Sequence, residues 1–214
     1  MLATESTRVR PVVLEGRHVR LEPLSAGHAG DLLAAASGSR ATYALTTVPA
    51  DEPSMARYIE AALRDQEAGR SLPFATVAKE TGRVVGSTRF LNIEFWVWAP
   101  GNAHQRGEDV PDVAEIGATW LAAAAQRTPM NTEAKLLMLT HAFEAWLVHR
   151  VSLMTDARNE RSRNAILRLG ARFDGILRAA RPASDGGIRD TAAFSILDHE
   201  WPMVKQRLQS RLNQ

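Results

Sequence analysis

The most constraining feature of this sequence is a succession of strand, helix and strand between residues 113 and 155. Strand character around Glu115 is followed by a helix predicted over about Asn131–His149, whose apolar residues form one wide stripe. The short apolar stretch Val151–Thr155 comes next. Two strands that are joined through a helix pair in parallel. The sequence therefore predicts a parallel strand pair with a helix packed across it.

The flanking segments predict antiparallel strands. The Glu80-Thr81-Gly82 turn is typical of a hairpin between Phe74–Lys79 and Arg83–Ile93, and Arg172–Leu177 with Thr191–Leu197 forms a terminal strand pair. Helical spacing and capping residues predict four more helices: Ser25–Ala36, Pro53–Gly69, Glu160–Leu169 and one from about Pro202. Parallel and antiparallel pairs in one chain predict an α/β fold with a single mixed central β-sheet.

Length and residue content narrow the class of protein. A chain of 214 residues with 45% apolar residues suits one globular domain, so we expect residues 1–214 to form a single domain. The absence of cysteine excludes a disulfide scaffold, a thiolate zinc site and a cysteine nucleophile. The six histidines form no His-x-His or His-Glu-x-x-His pattern, so we expect no metal site.

Charge is distributed unevenly along the chain. The net charge is only +2, but the part from Arg150 onwards holds 12 basic and 7 acidic residues. Such a segment suits a small anionic ligand, and no basic stripe is interleaved with aromatics, so we expect no nucleic acid partner. The uncharged stretch Ile116–Ala125 is shorter than the roughly 18 residues that span a bilayer. With arginines and no apolar segment at the N-terminus, we expect a cytoplasmic protein with no membrane partner.

The loop Gln126–Thr132 is a candidate anion site. It leads from the first strand of the crossover into the helix, where free backbone N–H groups and the positive end of the helix dipole meet. Arg127 adds charge, and Thr128, Asn131 and Thr132 add side-chain donors. Asn131 or Thr132 can equally serve as a plain helix cap, and geometry alone leaves both interpretations open.

These residues resemble a known motif. Gln126–Ala134 followed by Lys135–Leu139 and Ala142-Phe143-Glu144 is similar to the acyl-CoA-binding motif of GCN5-related N-acetyltransferases, the GNAT superfamily, and most of all to its RimJ/RimL-like branch. Further matches occur in family order over about residues 12–200: Val85–Thr88, Glu115-Ile116-Gly117, Asp156–Ser162, Leu169-Gly170-Ala171 and Arg189-Asp190-Thr191. Each motif is weak alone, and the joint order carries the resemblance.

The resemblance implies a GNAT fold, with helices on both faces of the sheet and a parallel strand pair that splays apart to admit acetyl-CoA. The pyrophosphate then lies on the loop, and the implied cofactor-binding residues are Gln126, Arg127, Thr128, Met130, Asn131, Thr132 and Asn159. The chain departs from the family pattern Gln/Arg-x-x-Gly-x-Gly/Ala, because neither glycine is present and Pro129 has no N–H. Donors are then expected from Thr128, Met130, Asn131 and Thr132.

The resemblance also implies catalytic residues. Asn159 and Ser162 match an Asn-x-x-Ser pattern in which the serine hydroxyl lies near the thioester sulfur, although Ser162 can also be an ordinary solvent-facing serine. Where some relatives carry a basic carboxylate, this chain has Arg181. Glu115 and Asp190 are the remaining carboxylates near the inferred cleft, and each can instead be the ion-pair partner of an arginine. We therefore expect Ser162 and Glu115 to be catalytic.

The expected function is an enzyme, an acetyl-CoA-dependent N-acetyltransferase that moves acetyl to a primary amine by direct attack. The acceptor is a protein N-terminus or a small amine, and a homodimer is compatible with the sequence. The alternative is a catalytically silent GNAT-fold module that binds CoA as a sensor or partner protein. The missing glycines favour that alternative, whereas Asn159, Ser162 and Glu115 favour the enzyme.

Overall fold

The computed structural model describes residues 9–213, which form one eight-stranded sheet and five α-helices. The strands are β1 (Leu14–Glu15), β2 (Val19–Pro23), β3 (Leu72–Ala78), β4 (Arg83–Glu94), β5 (Val113–Leu121), β6 (Arg150–Asp156), β7 (Arg172–Pro182) and β8 (Ile188–Leu197). The helices are α1 (Ala29–Ala36), α2 (Glu52–Glu67), α3 (Pro129–Thr140), α4 (Glu160–Leu169) and α5 (Trp201–Leu212).

The sheet is mixed, as predicted. Its strand order is β1-β2-β3-β4-β5-β6-β8-β7, and every described neighbouring pair is antiparallel except β5 and β6. This parallel pair is short, because it extends only from Val113 opposite Arg150 to Glu115 opposite Ser152. Beyond that point β5 pairs with β4 alone and β6 with β8 alone. The two strands therefore form a fork that opens after Glu115.

A β-bulge in β5 coincides with the start of the fork. Ser87 of β4 lies opposite Trp120 and Arg89 lies opposite Gly117, so β5 has two residues, Ala118 and Thr119, where β4 has one. Ala118 adopts a positive φ of 47°. An extra residue of this kind bends its strand and increases the local twist. The bulge thus accounts for the way β5 departs from β6.

Helices cover both faces of the sheet and bury two separate cores. On one face, α1 and α2 pack against Ala75 and Trp120. On the other, α3, α4 and α5 enclose a larger core that includes Phe74, Phe90 and Phe194. Strand β3 is buried along its whole length, since both of its faces are covered.

The predicted long helix is shorter than expected. Helix α3 ends at Thr140 and continues as one π-helical turn, His141–Ala145, and Leu147 then adopts a positive φ of 58°. The wider turn lets Phe143 stack on Trp201 at 5.3 Å while Trp146 reaches Phe90 at 4.6 Å, both ring-centroid distances. The prediction of a helix to His149 was therefore wrong, because aromatic packing changes the helical register before the chain enters β6.

Candidate active site

The fork is flanked by the beginnings of two helices. Since β5 and β6 are parallel, their carboxyl ends lie at the same edge of the sheet, where β5 leads to α3 and β6 leads to α4. A direct contact joins the two connections, because the guanidinium of Arg161 donates to the Gln126 side-chain oxygen at 2.8 Å. Two positive helix ends therefore face the mouth of the opening.

Thr128 is the N-cap of α3, so neither Asn131 nor Thr132 has that role. The Thr128 hydroxyl accepts from the Met130 N–H at 3.3 Å and donates to the Ala125 carbonyl at 2.8 Å. Asn131 and Thr132 lie in the first turn, and their side chains make no hydrogen bond within residues 9–213. That turn contains no acidic residue, and exposed Arg127 precedes it with a positive φ of 63°. The turn is thus compatible with an anion.

Gln126 is held by the chain itself. Its amide nitrogen donates to the Thr42 hydroxyl at 3.0 Å and to the Leu121 carbonyl at 2.9 Å, and its oxygen accepts from Arg161. These contacts tie the loop to the end of β5 and to the start of α4. The expected contact between the Gln126 side chain and a phosphate stays a prediction. In the structure this side chain holds the loop in place.

Asn159 and Ser162 meet at the start of α4. Asn159 is the N-cap of the helix, and its side-chain oxygen accepts from the Ser162 N–H at 3.0 Å. The Ser162 hydroxyl is half-buried and has no hydrogen-bond partner in the part of the chain that the structure describes. The structure thus joins this predicted pair and leaves the hydroxyl available to a ligand.

Glu115 lies at the point where the fork opens. It is the last β5 residue paired with β6, its side chain is buried, and the Asn92 amide donates to one carboxylate oxygen at 2.8 Å. Gly117 leaves room for the carboxylate, since a Cβ there would lie 3.0 Å from the other oxygen. Burial raises the pKa of Glu115, while the Asn92 hydrogen bond and the charges of Arg181 and Arg189 oppose that rise. A raised pKa makes this carboxylate a stronger base than an exposed glutamate, which suits it to accept a proton.

The other carboxylate candidate, Asp190, has a structural contact. Its carboxylate accepts from the Ala179 N–H at 2.8 Å, and its carbonyl accepts from the Ala157 N–H at 2.9 Å. The expectation that it pairs with an arginine finds no such pair among the described contacts. Arg181 lies opposite Arg189 on the terminal strand pair and contributes positive charge near Glu115.

Lys135 is a buried charge for which the sequence predicted no role beyond its place in the Lys135–Leu139 motif. Its ammonium donates to the hydroxyls of Thr119 at 2.6 Å and Thr88 at 3.0 Å, and no carboxylate within residues 9–213 pairs with it. Burial lowers its pKa to about 7. The buried neighbours Met138 and Leu139, three and four residues further along α3, are the signal that places Lys135 on the inner face.

In the described part of the chain, no group of three or more His, Asp or Glu side chains is arranged to hold a metal ion. None of the helices within residues 9–213 combines the length and apolarity needed to cross a membrane.

Comparisons with known proteins agree on the fold. The family model of the acetyltransferase (GNAT) domain matches residues 18–172. A GCN5-related N-acetyltransferase from Brucella melitensis is 33% identical, with 96% of this chain and 87% of that one covered at a TM-score of 0.80. Mycobacterium smegmatis RimJ, solved with CoA-disulfide, is 21% identical, with 94% and 95% covered at 0.75.

A third solved structure shows the same fold at lower identity. The microcin C7 self-immunity acetyltransferase MccE, solved with acetyl-CoA and AMP, is 18% identical, with 85% of this chain and 93% of that one covered at a TM-score of 0.67. A search of the curated proteins finds no significant match.

Proposed function

This chain belongs to the GNAT acetyltransferase family, and we propose that it acts as a single domain that uses acetyl-CoA to acetylate a primary amine by direct attack. The acceptor in this proposal is a protein N-terminus or a small amine. Assignment to the RimJ/RimL-like branch is part of the proposal, and the ordered sequence motifs and the fold shared with RimJ support it.

The observation that best supports this proposal is the fork between β5 and β6. It combines an opening between two strands, a buried carboxyl at its apex and two helix N-termini at its mouth. A thioester supplies an activated acetyl group, and the remaining requirements are a proton acceptor for the amine and a hydrogen bond for the departing sulfur. The residues around the fork offer both.

The donor-binding residues are proposed from the loop and the two helix starts. RimJ and MccE were each solved with a CoA compound, which supports CoA as the donor here. Arg127 offers charge, Met130 lies in the first turn of α3, and Asn131 and Thr132 offer side chains without partners in the described chain. In this proposal Thr128, Gln126 and Asn159 mainly hold the two connections in shape.

The proposed chemical roles follow from burial and hydrogen bonding. Glu115 accepts the proton that the amine loses, directly or through a water, because burial moves its pKa towards neutral pH. Ser162 donates a hydrogen bond to the departing sulfur, since its hydroxyl has no other partner in the described residues. A thiol of pKa about 8.5 needs little help to leave, so a hydroxyl is sufficient.

One observation favours a second candidate, a silent CoA-binding module. Pro129 occupies the first position of α3, so the family glycine with its free N–H is replaced by a residue that donates nothing. A protein with a weaker contact to the phosphates of CoA can still bind CoA as a sensor without catalysing acetyl transfer.

Thiol release from acetyl-CoA separates the two candidates. The protein is incubated with acetyl-CoA alone and with a panel of amines, and released thiol and acetylated amine are both quantified. We expect amine-dependent release that Glu115→Gln suppresses at neutral pH. CoA binding by calorimetry without any amine-dependent release would favour the silent module.

A further inference from the structure

Arg89 of β4 is a buried cation without an anionic partner. Its side chain is only 6% exposed, its Nε is buried without an acceptor, and no carboxylate or carbonyl of residues 9–213 accepts from its guanidinium. Its guanidinium carbon lies 4.5 Å from the centroid of the Tyr58 ring. Burial of a charge without a partner is strongly unfavourable, so the position calls for an explanation.

Two other buried charges around the sheet, those of Glu133 and Asp156, are compensated by the chain. Glu133 accepts from three consecutive backbone N–H groups, those of Arg17, His18 and Val19, and buried Asp156 pairs with Arg158 at 2.8 Å. Arg89 differs from both, because the fold supplies an aromatic platform and leaves its hydrogen-bonding capacity unused.

The platform under Arg89 is itself held in place. The Tyr58 hydroxyl, on α2, donates to the Ser87 hydroxyl at 3.1 Å, and Ser87 donates to the Phe74 carbonyl at 2.9 Å. The ring is therefore fixed between α2 and the sheet. A guanidinium stacked on a fixed ring has few orientations open to it, so it is organised before any ligand arrives.

Arg89 lies next to the fork. It is opposite Gly117 of β5, and Leu91 of the same strand is opposite Glu115, so Arg89 and Glu115 project from the same face of the sheet. Gly117 has no side chain to screen Arg89 from the fork, and at this level β5 no longer pairs with β6. The unpaired guanidinium is thus one strand away from the proposed site of acetyl transfer.

We propose that Arg89 binds a carboxylate on the acceptor, so that the substrate is an amine that also carries a carboxylate group. This inference rests on the proposed function and identifies the class of acceptor. A planar guanidinium matches a carboxylate through two parallel hydrogen bonds, and such pairs are among the strongest hydrogen bonds in proteins. Arg181 and Arg189, on the terminal strand pair next to β6, add positive charge near Glu115.

Two sources provide this chemistry: a free amino acid, and a peptide whose N-terminal amine is followed by an acidic side chain. The test uses acceptor pairs of similar size that differ in the anionic group, and each kcat/KM is expressed per unprotonated amine, since a neighbouring carboxylate also alters the pKa of the amine. These are glycine with glycinamide, 4-aminobutyrate with butylamine, and Gly-Asp with Gly-Asn as dipeptide amides. Values of kcat/KM are measured at saturating acetyl-CoA for the parent protein, Arg89→Met, Arg89→Lys and Arg83→Met. Arg83 is an exposed arginine on the same strand, so its variant controls for loss of charge.

The parent protein should prefer the carboxylate member of at least one pair by about 10-fold to 100-fold, the range expected for charge-assisted hydrogen bonds. Arg89→Met should lower kcat/KM for the carboxylate member at least tenfold more than for the neutral amine, so that the preference is lost. Arg89→Lys should retain part of the preference, and Arg83→Met all of it. The melting temperature of Arg89→Met should be unchanged or higher, since an unpaired buried charge is removed. The pair that shows the preference identifies the source of the carboxylate.

The outcomes separate this inference from the proposed function. Acetylation of neutral amines without a carboxylate preference would overturn the role of Arg89 and leave the proposed function standing. If no amine is acetylated, the proposed function fails. The role of Arg89 is then tested by calorimetric binding of 4-aminobutyrate and glycine in the presence of CoA. Affinity that Arg89→Met or Arg89→Lys reduces at least tenfold would support the inference, and absent or unchanged affinity would overturn it.

Discussion

Replacing Lys135 by Met should stabilise the protein at pH 7, and the advantage should shrink as the pH is raised. Methionine keeps most of the side-chain volume and removes an ammonium group that has no carboxylate partner in the described chain. Thr88 and Thr119 lose a donor, but their hydroxyls lie 2.7 Å apart and can still bond each other. The substitution therefore leaves no hydroxyl without a partner.

The size of the effect follows from proton linkage. The pKa of Lys135 is lowered from 10.5 in the unfolded chain to about 7 in the folded protein. Between these values the unfolded state binds more protons, so the stability of the parent protein rises with pH. At about 1.4 kcal/mol per pH unit, the buried charge destabilises the fold by about 4 kcal/mol at pH 7, and about 3 kcal/mol of this disappears by pH 10. Lost hydrogen bonds offset about 1–2 kcal/mol of the gain in the variant.

Urea denaturation at intervals from pH 6 to pH 10 measures the difference in unfolding free energy between the parent and Lys135→Met. Lys79→Met is the matched control, because Lys79 is exposed and pairs with Glu15 at 2.6 Å. Its stability difference from the parent should stay nearly constant from pH 7 to pH 9. A Lys135→Met difference that is equally independent of pH would show that Lys135 keeps an ordinary pKa, and would refute the reasoning.

Three further predictions concern the proposed site. Arg127→Glu should weaken CoA binding by about 5-fold to 10-fold at low salt and less at high salt, since Arg127 is exposed and its charge is screened; unchanged calorimetric affinity at low salt would remove it from the site. Ser162→Ala should lower kcat by about 3-fold to 10-fold and leave the calorimetric Kd for CoA unaltered, because the hydroxyl is proposed to contact the sulfur; a parental kcat would contradict that role. Glu115→Gln should lower kcat/KM at pH 7 by about 100-fold or more, because the amine loses its proton acceptor. The rising limb of the kcat/KM profile against pH should move to the acceptor's own pKa. A profile that matches the parent would leave the amine without an assigned base.

Features that depend on neighbours in sequence were predictable. The crossover between residues 113 and 155 implied the parallel pair, and β5 and β6 form it. The helix predicted over Glu160–Leu169 forms over those residues, and Gly170 ends it with a φ of 108°. The Glu80-Thr81-Gly82 turn joins β3 to β4 as expected. In each case the relevant interactions extend over one turn or one crossover, so periodicity and backbone preference suffice.

The sequence also determined part of the candidate site. The Asn159 and Ser162 pair is a local cap, because a spacing of three residues at the start of a helix lets the first side chain accept from the N–H of the second. That the start of α3 follows the end of β5 was predicted in the same way. The identity of the capping residue was not, because Thr128, Asn131 and Thr132 are all competent caps by type.

Only the tertiary structure decided which charges are buried and which are paired. Gln126 contacts Arg161 across 35 residues of chain, and Glu115 meets Asn92 across 23. Lys135 loses contact with water because two strands and a helix close around it, and the β5 residue opposite Arg89 is a glycine, which offers no side-chain acceptor. Residue type sets which protonation states and hydrogen bonds are available. Desolvation and pairing depend on segments that are distant in sequence. The acid and base strengths of these side chains are therefore set only when the sheet and its helices assemble.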